Sequence, residues 1–380
     1  MQVGILGNGQ LGRMLALAGH SLGQQFHFLG RTQAGATRGL GRHALVDSAN
    51  DAGLERFATG LDVLTFESES WEAEALRRAS AHTSVHPSPR ALESSQDRLA
   101  QKELCARVGV PSAPFERVDG VGSLDRALAR LGLPAVLKLR RGGYDGKGQW
   151  QLREEADCVR ARAELGTRLA LLESWIPFER ELALIAVRGR DGERAFYPLV
   201  ENHHEKGCLR LTLAPAPRAD ALQREAEALA TALLEELDYV GVLALEWFQV
   251  DGHLVLNELA PRVHNSGHWT IEGAETSQFE NHLRAIAGLP LGSTRALGAA
   301  AMLNLLGTLP PAAAILGIPG AHLHLYGKDP APGRKLGHVT LRASSEGSLA
   351  RNLETLCSRL SIPLPPAALR WMRSSSSGSI

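Results

Sequence analysis

The N-terminal stretch MQVGILGNGQLGRMLALAGHSLG leaves this chain few ways to fold. An apolar run of strand character ends in a glycine turn, and an amphipathic helical pattern begins at once. Further short strands at QFHFLG, HALVD and DVLTFE alternate with helical or loop segments. That alternation predicts a parallel α/β sheet.

The pattern stops near VHPSPRALESSQDRLAQKEL, where Pro87 and Pro89 precede a long polar helical segment and mark a first boundary. From about Ala135 to Pro261 apolar and polar residues alternate, with Asp191-Gly192 and Asp251-Gly252 as hairpin turns. One helix, ADALQREAEALATALLEELDY, interrupts this antiparallel region. After AIAGLPLGSTRALG a third, smaller α/β portion is expected, with strands near AAAMLNLL, HLHLYG and GHVTLRA, and the tail SSSSGSI reads as disordered. A length of 380 residues fits two or three such domains.

Lys+Arg and Asp+Glu balance at 41 each, so no global field draws the chain to nucleic acid or to an anionic membrane. The longest apolar run is too short to span a bilayer, and no signal peptide is evident. The four cysteines lie far apart and read as reduced thiols, so a cytoplasmic protein is expected.

GNGQLG, Gly7 to Gly12, satisfies G-x-G-x-x-G between a strand and a helix, where backbone N–H groups can face an anion. An NAD enzyme would carry an acid roughly 20 residues on. FHFLGRTQ has none there, although Arg31 is placed for the 2′-phosphate of NADP. A tight structural turn and a phosphate site for a smaller ligand are the other two readings.

A second glycine loop, KLRRGGYDGKGQWQLREE, does not meet the P-loop pattern and reads as a hairpin whose amides close over phosphates. The bland alternative is a hairpin tip with solvated charges. Lys138 weighs against it, because a lysine interrupting the apolar strand PAVLKLRR calls for an anionic partner. In LLESWIPFERELAL the strand breaks at Pro177, which suits an adenine edge, and Glu181 follows at a distance suited to ribose hydroxyls.

Glu246 and Glu258 lie on the two strands of VGVLALEWFQVDGHLVLNELAPR, each among apolar residues. Two buried carboxylates close together repel unless a proton or a cation is shared, and hard oxygen ligands suit Mg²⁺; salt bridges are the alternative. A regular two-residue turn at Asp251-Gly252 sets Glu246 opposite Asn257, whereas a longer loop or a bulge sets it opposite Glu258. Arg262, His264, Asn265, Ser266 and His268 then crowd into APRVHNSGHWT, and YGKDPAPGRKLGH brings Lys328, Arg334 and Lys335 together.

Lys138, the glycine hairpin, ESWI, Glu181 and the Glu246/Glu258 pair together resemble the ATP-grasp superfamily. Within it, GNGQLGRM, QDRLAQK, GGYDGKGQW, NELAPRVHNSGHWT and PGRKLGH resemble the 5-(carboxyamino)imidazole ribonucleotide synthases of purine biosynthesis, over about Gln2 to His338. The resemblance implies an α/β and α+β ATP-grasp fold. It consists of a Rossmann-like domain (1–96), an ATP-grasp domain (97–290) with a mobile lid (about 111–173), and a small C-terminal domain (291–372) before a disordered tail (373–380). It also implies a homodimer whose partners are ATP, bicarbonate and 5-aminoimidazole ribonucleotide, with Mg²⁺, or alternatively Mn²⁺, as cofactor.

Carried over residue by residue, Arg98 and Lys138 match phosphate-binding cations, and Gly143, Tyr144, Asp145, Gly146, Lys147, Gly148 and Gln149 match the lid loop. Glu173, Ser174, Trp175 and Ile176 match the adenine hinge, Glu181 the ribose ligand and His204 a further nucleotide contact. Glu246 and Glu258 match the metal ligands, with Asn257 beside them. Gly9, Gln10, Leu11, Glu67, Tyr144, Arg262, His264, Asn265, Lys328, Arg334 and Lys335 fall where the ribonucleotide and carboxyphosphate are held. Asp145, His264, Arg262 and Lys335 are the expected catalytic group, with Asp145 or His264 as proton acceptor. Lys147 stands where many relatives carry Arg, and Ser70 where Asn is common, which makes the part of Glu67 less secure. Rival readings are another ATP-grasp ligase such as formate-dependent glycinamide ribonucleotide transformylase, an NADP-dependent oxidoreductase, and a nucleotide-sensing module.

Overall fold

A computed structural model describes residues 1–33, 35–46, 51–142 and 147–364, together with 368 and 371. The expected tail, 373–380, lies outside the described residues.

Five parallel strands form the first sheet: β1 (Gln2–Leu6), β2 (Gln25–Gly30), β3 (Arg42–Leu45), β4 (Val63–Phe66) and β5 (Ser84–Val85), in the order β3-β2-β1-β4-β5. β1 lies at the centre, and Val3, Ile5 and Leu6 are fully buried, as a strand covered on both faces requires. β3 is the edge, and all four of its residues are exposed. The chain leaves β1 for β2 on one side and reaches β4 on the other. The turn after Leu6 therefore sits at the switch point where such sheets hold ligands.

The polar segment after this sheet is two helices, Pro89–Gln96 and Arg98–Arg107, not one long helix. Asp97 breaks it with extended backbone (φ −120°, ψ 115°) and its carboxylate caps the second helix by accepting from Leu99 N–H at 2.9 Å. The same carboxylate holds Arg140 in a two-pronged salt bridge, at 2.9 and 2.6 Å. A capping aspartate thus ties the helix start to the lid.

Strands β6 (Phe115–Val118), β7 (Ala135–Leu139), β8 (Gln149–Leu152) and β9 (Ala170–Ser174) build a separate antiparallel sheet, order β6-β9-β7-β8. It has its own core, including Leu124, Leu137, Leu152, Leu165 and Leu172. Two helices that sequence patterning missed complete it, Val121–Leu131 and Glu155–Leu165. The second buries only Cys158, Ala161 and Leu165, too thin an apolar stripe to stand out among its charges.

The largest sheet comprises β10 (Arg180–Arg188), β11 (Arg194–Phe196), β12 (Val200–Glu205), β13 (Cys208–Ala214), β14 (Gly241–Val250), β15 (His253–Ala260), β16 (Ala299–Leu306), β17 (Ala321–Leu325) and β18 (Lys335–Ala343). Its order is β15-β14-β10-β12-β13-β16-β18-β17, with β11 on β10. The strands of the smaller C-terminal portion, β16, β17 and β18, continue this sheet. β16 pairs with β13, and Leu211 and Leu213 share a core with Leu303, Leu341 and Leu353. The physical reason is the free edge of β13, which needs a hydrogen-bonded partner. Among the described residues no helix is long and apolar enough to cross a membrane, and all four cysteines are free.

His282 locks the first sheet to the largest. Its Nδ1 accepts from Val242 N–H at 3.1 Å, which leaves the ring proton on Nε2 to donate to Thr65 Oγ1 at 2.9 Å. Burial, assisted by the charge of His86, pushes its pKa down to about 3 from 6.5. The folded protein thus resists a proton that the unfolded chain takes up below pH 6.5, so this contribution is complete above 6.5 and lost as pH falls towards 3. By pH 4.5 the loss is roughly 3 kcal/mol. Urea unfolding at pH 7 and 4.5 should show a smaller acid loss in His282→Gln than in the parent; equal losses would remove His282 as the cause.

Candidate active site

The lid sheet and the largest sheet enclose a cleft of about 420 Å³. Lys138, on β7, lines it, and the anionic partner its position demanded is Glu173 on β9, 3.0 Å from its ammonium. Asn257 Oδ1 lies 3.5 Å from the same nitrogen. Burial alone would raise the Glu173 carboxyl, but the charges of Lys138 and Lys102 hold it below its ordinary range. Arg98 also lines the cleft, its guanidinium donating to Leu139 C=O at 2.8 Å.

β9 ends at Ser174, followed by Trp175, Ile176 and Pro177, as the strand break predicted. Ser174 N–H donates to Pro114 C=O at 2.9 Å and Trp175 N–H to Pro134 C=O at 3.1 Å. Beyond the break Phe178 stacks on Phe248, ring centres 4.4 Å apart and 7° from parallel. These two rings and Val136 give the cleft an apolar wall that motif reasoning did not find. Their only signal was an aromatic residue beside the hinge.

At the other end β10 and β12 bring Glu181 and His204 into direct contact. Burial would lower the His204 pKa, but the Glu181 bond and the Glu246 charge raise it above its ordinary value. The β14–β15 hairpin turns through two residues, with Val250 opposite His253. A bulge between Glu246 and Trp247 then shifts the register, so that Trp247 faces Leu256 while Glu246 faces Glu258. Glu246 and Glu258 therefore stand together, and the bulge also lets Asn257 line the cleft beside Glu258 rather than point away. Glu246 is half-buried and Glu258 exposed, not both buried as expected. Burial first, then repulsion from Glu258, pushes the Glu246 pKa up to about 7, against the pull of His204. Among the described residues no group of three or more His, Cys, Asp and Glu is arranged to hold a metal. Two carboxylates and an amide oxygen fit an ion that takes its remaining ligands from a substrate.

His264, Asn265 and Lys335 line the same cleft, with the His264 Nε2 3.8 Å from Glu246. The His264 Nδ1 lone pair accepts from Ser266 N–H at 3.3 Å, which assigns the proton of the neutral ring to Nε2. Burial, and then the charge of Arg262, hold the ring well below its ordinary pKa. Arg262 lines the cleft and pairs with Glu69 at 3.0 Å. Lys147, Gln149, Glu173, Ser174, Trp175 and Ile176 complete the expected residues found here, and Gly148 adjoins them. Gly143, Tyr144, Asp145 and Gly146 lie outside the described residues.

The first glycine turn faces a different group. Glu67 at the end of β4 inserts its carboxylate into the turn, accepting from Gly9 N–H at 2.5 Å and Gly12 N–H at 2.7 Å. A Cβ on Gly9 would come within 2.8 Å of that carboxylate, so the glycine there is needed for close approach. In this structure the amides of the turn hold the protein's own carboxylate, Glu67, where a ligand phosphate was one of the expected readings. Arg31 is likewise engaged, over the Trp71 ring at 5.0 Å and donating to Ser70 C=O at 3.0 Å. Gln10 is in contact with Lys328, and Leu11 is buried. Arg334 is exposed, donating to Asp329 C=O at 3.0 Å, so it does not share the cleft with its neighbour Lys335.

Comparisons with known proteins bear on the whole chain. A ribonucleotide synthetase preATP-grasp domain model matches residues 1–96, an ATP-grasp domain model 103–279, and a phosphoribosylaminoimidazole carboxylase C-terminal domain model 300–352. The N5-carboxyaminoimidazole ribonucleotide synthase of Pseudomonas aeruginosa is 50% identical over 349 residues, 92% of this chain and 96% of that protein. The crystal structure of N5-carboxyaminoimidazole ribonucleotide synthetase from Thermus thermophilus matches with a TM-score of 0.91 at 52% identity, over 96% of this chain and 99% of that one. The Aspergillus clavatus synthase in complex with ADP and 5-aminoimidazole ribonucleotide matches with a TM-score of 0.88 at 32% identity, over 95% of this chain and 98% of that one.

Proposed function

This chain belongs to the N5-carboxyaminoimidazole ribonucleotide synthase family of ATP-grasp ligases, and from that premise we propose that it uses ATP and bicarbonate to carboxylate 5-aminoimidazole ribonucleotide. The observation that carries this reading is the β14–β15 bulge. It gathers Glu246, Asn257 and Glu258 on one wall of a cleft whose opposite wall carries Lys138.

Phe178, Phe248 and Val136 form the slot for the adenine ring, and Glu181 takes the ribose hydroxyls, steadied by His204. Lys138, Arg98 and Lys147 neutralise the polyphosphate. Glu246 and Glu258, with Asn257, would hold Mg²⁺, which supplies charge neutralisation on the transferring phosphoryl group when bound. In the first step a bicarbonate oxygen bonds to the γ-phosphorus as the bond to ADP breaks, giving carboxyphosphate. In the second, the amine of the ribonucleotide bonds to the carboxyl carbon as the bond from that carbon to the phosphate oxygen breaks, and the departing phosphate takes up the proton that the amine loses.

Carboxyphosphate is short-lived in water, so the lid sheet must exclude solvent before it forms. With its proton on Nε2, His264 acts as a donor to the carboxyphosphate oxygens rather than as the acceptor of the amine proton. Arg262 and Lys335 supply positive charge beside it.

Protein mixed with Mg-ATP and bicarbonate should release ADP at a rate that rises sharply when 5-aminoimidazole ribonucleotide is added. A requirement for formate instead, or oxidation of NADPH, would replace this reading with one of its rivals, and nucleotide binding without ADP release would make the protein a sensor.

A further inference from the structure

Lys102 ends the QDRLAQK stretch without any role assigned to it above, yet its side chain is only 3% exposed, deep behind the cleft. Its ammonium is 3.6 Å from the Glu173 carboxylate, whose other cationic partner is Lys138 at 3.0 Å. Two lysines thus share one carboxylate. Lys102 is the inner one, and Lys138 is the one that reaches the cleft.

The charges of the trio do not cancel: two ammonium groups against one carboxylate leave one positive charge in excess. Without Lys102, Glu173 and Lys138 would form a neutral pair, and Lys138 would present little net field to an anion. We propose that Lys102 is a positioning residue for the polyphosphate: by occupying Glu173 from behind, it leaves the charge of Lys138 available to the nucleotide's phosphates. The inference rests on the cleft binding ATP. Helix Arg98–Arg107 supplies both Arg98 to the cleft and Lys102, one turn further on, to Glu173. Burial lowers the Lys102 pKa against the opposing pull of Glu173, as an internal lysine held by a single carboxylate should behave.

The test compares ATP with adenosine, which shares the base and ribose but lacks the phosphates. Lys102→Met should weaken ATP binding about tenfold, measured calorimetrically, and adenosine binding less than about twofold. Lys102→Arg keeps a cation behind Glu173, so this variant should bind ATP within about threefold of the parent. Equal weakening of both ligands would assign Lys102 a packing role in the hinge and overturn the proposal. So would unchanged ATP binding in Lys102→Met, or an equal loss of ATP binding in Lys102→Arg. A parent protein that binds neither ligand would overturn the reading of the cleft itself, an outcome distinct from these.

Discussion

Glu258→Gln should slow ATP cleavage about a hundredfold while the fold stays intact. Removing one well-placed electrostatic contact from a transition state costs roughly 3 kcal/mol, which is that factor in rate. The amide keeps the shape of the carboxylate and its place opposite Glu246 across the bulge, so the loss is one of charge. Stability should move the other way. The Glu258 charge helps to raise the Glu246 carboxyl to about 7 from 4.5, so the folded protein holds a proton there that the unfolded chain releases. The cost of ionising Glu246 is therefore absent below pH 4.5 and is felt as pH rises through 7. Relieving the repulsion lessens it, and the melting temperature of Glu258→Gln at pH 8 should equal or exceed that of the parent. Near-normal turnover would mean that the metal is held elsewhere; a large drop in melting temperature would mean that Glu258 is structural.

The second large effect separates two anion sites. Arg334→Ala is expected to raise the KM for 5-aminoimidazole ribonucleotide about ten- to a hundredfold and to leave the KM for ATP nearly unchanged. Arg334 is exposed on the loop that follows Lys328, and Lys328 meets Gln10 at the switch point of the first sheet; none of the three lines the Lys138 cleft. A charge-assisted contact to a remote phosphate contributes roughly 1.5–3 kcal/mol, and its removal appears in the affinity for the substrate that carries the phosphate. Lys138→Ala should do the reverse, weakening ATP with little effect on the ribonucleotide. If Arg334→Ala weakens ATP alone, the loop serves the nucleotide cleft instead.

Much of this was legible in the sequence. The parallel first sheet followed from strand and helix periods, and the two Asp-Gly turns did mark hairpins. Lys138 betrayed itself by sitting charged in an apolar strand, and most of the expected nucleotide residues do line one cleft. The register of Glu246 could be posed only as alternatives, because a bulge depends on how Asn257 is accommodated and not on local propensity. The glycine turn misled, since its pattern states that backbone amides are free but not which anion fills them. Glu67, 58 residues from Gly9, answers that. The part of Lys102, though it ends the QDRLAQK motif, stayed hidden for a similar reason: a lysine in a polar helix names no partner until Glu173 is folded against it.

The joining of β13 to β16 bears on how this protein can be taken apart. Three sequence units meet within it, but two of them are woven into one fabric, and the seam at residues 280–299 is a seam in heredity only. A fragment ending at residue 298 would bare the edge of β13 from Leu211 to Ala214 and strip Leu211 and Leu213 of Leu303, Leu341 and Leu353. Each such leucine, once buried, is worth roughly 2 kcal/mol. Grafting the final segment from a cousin would set two inherited surfaces against each other along an unbroken ladder, where a mismatch of one residue reverses every side chain. The workable place to splice is the lid, whose four strands pair only with one another and enclose their own interior.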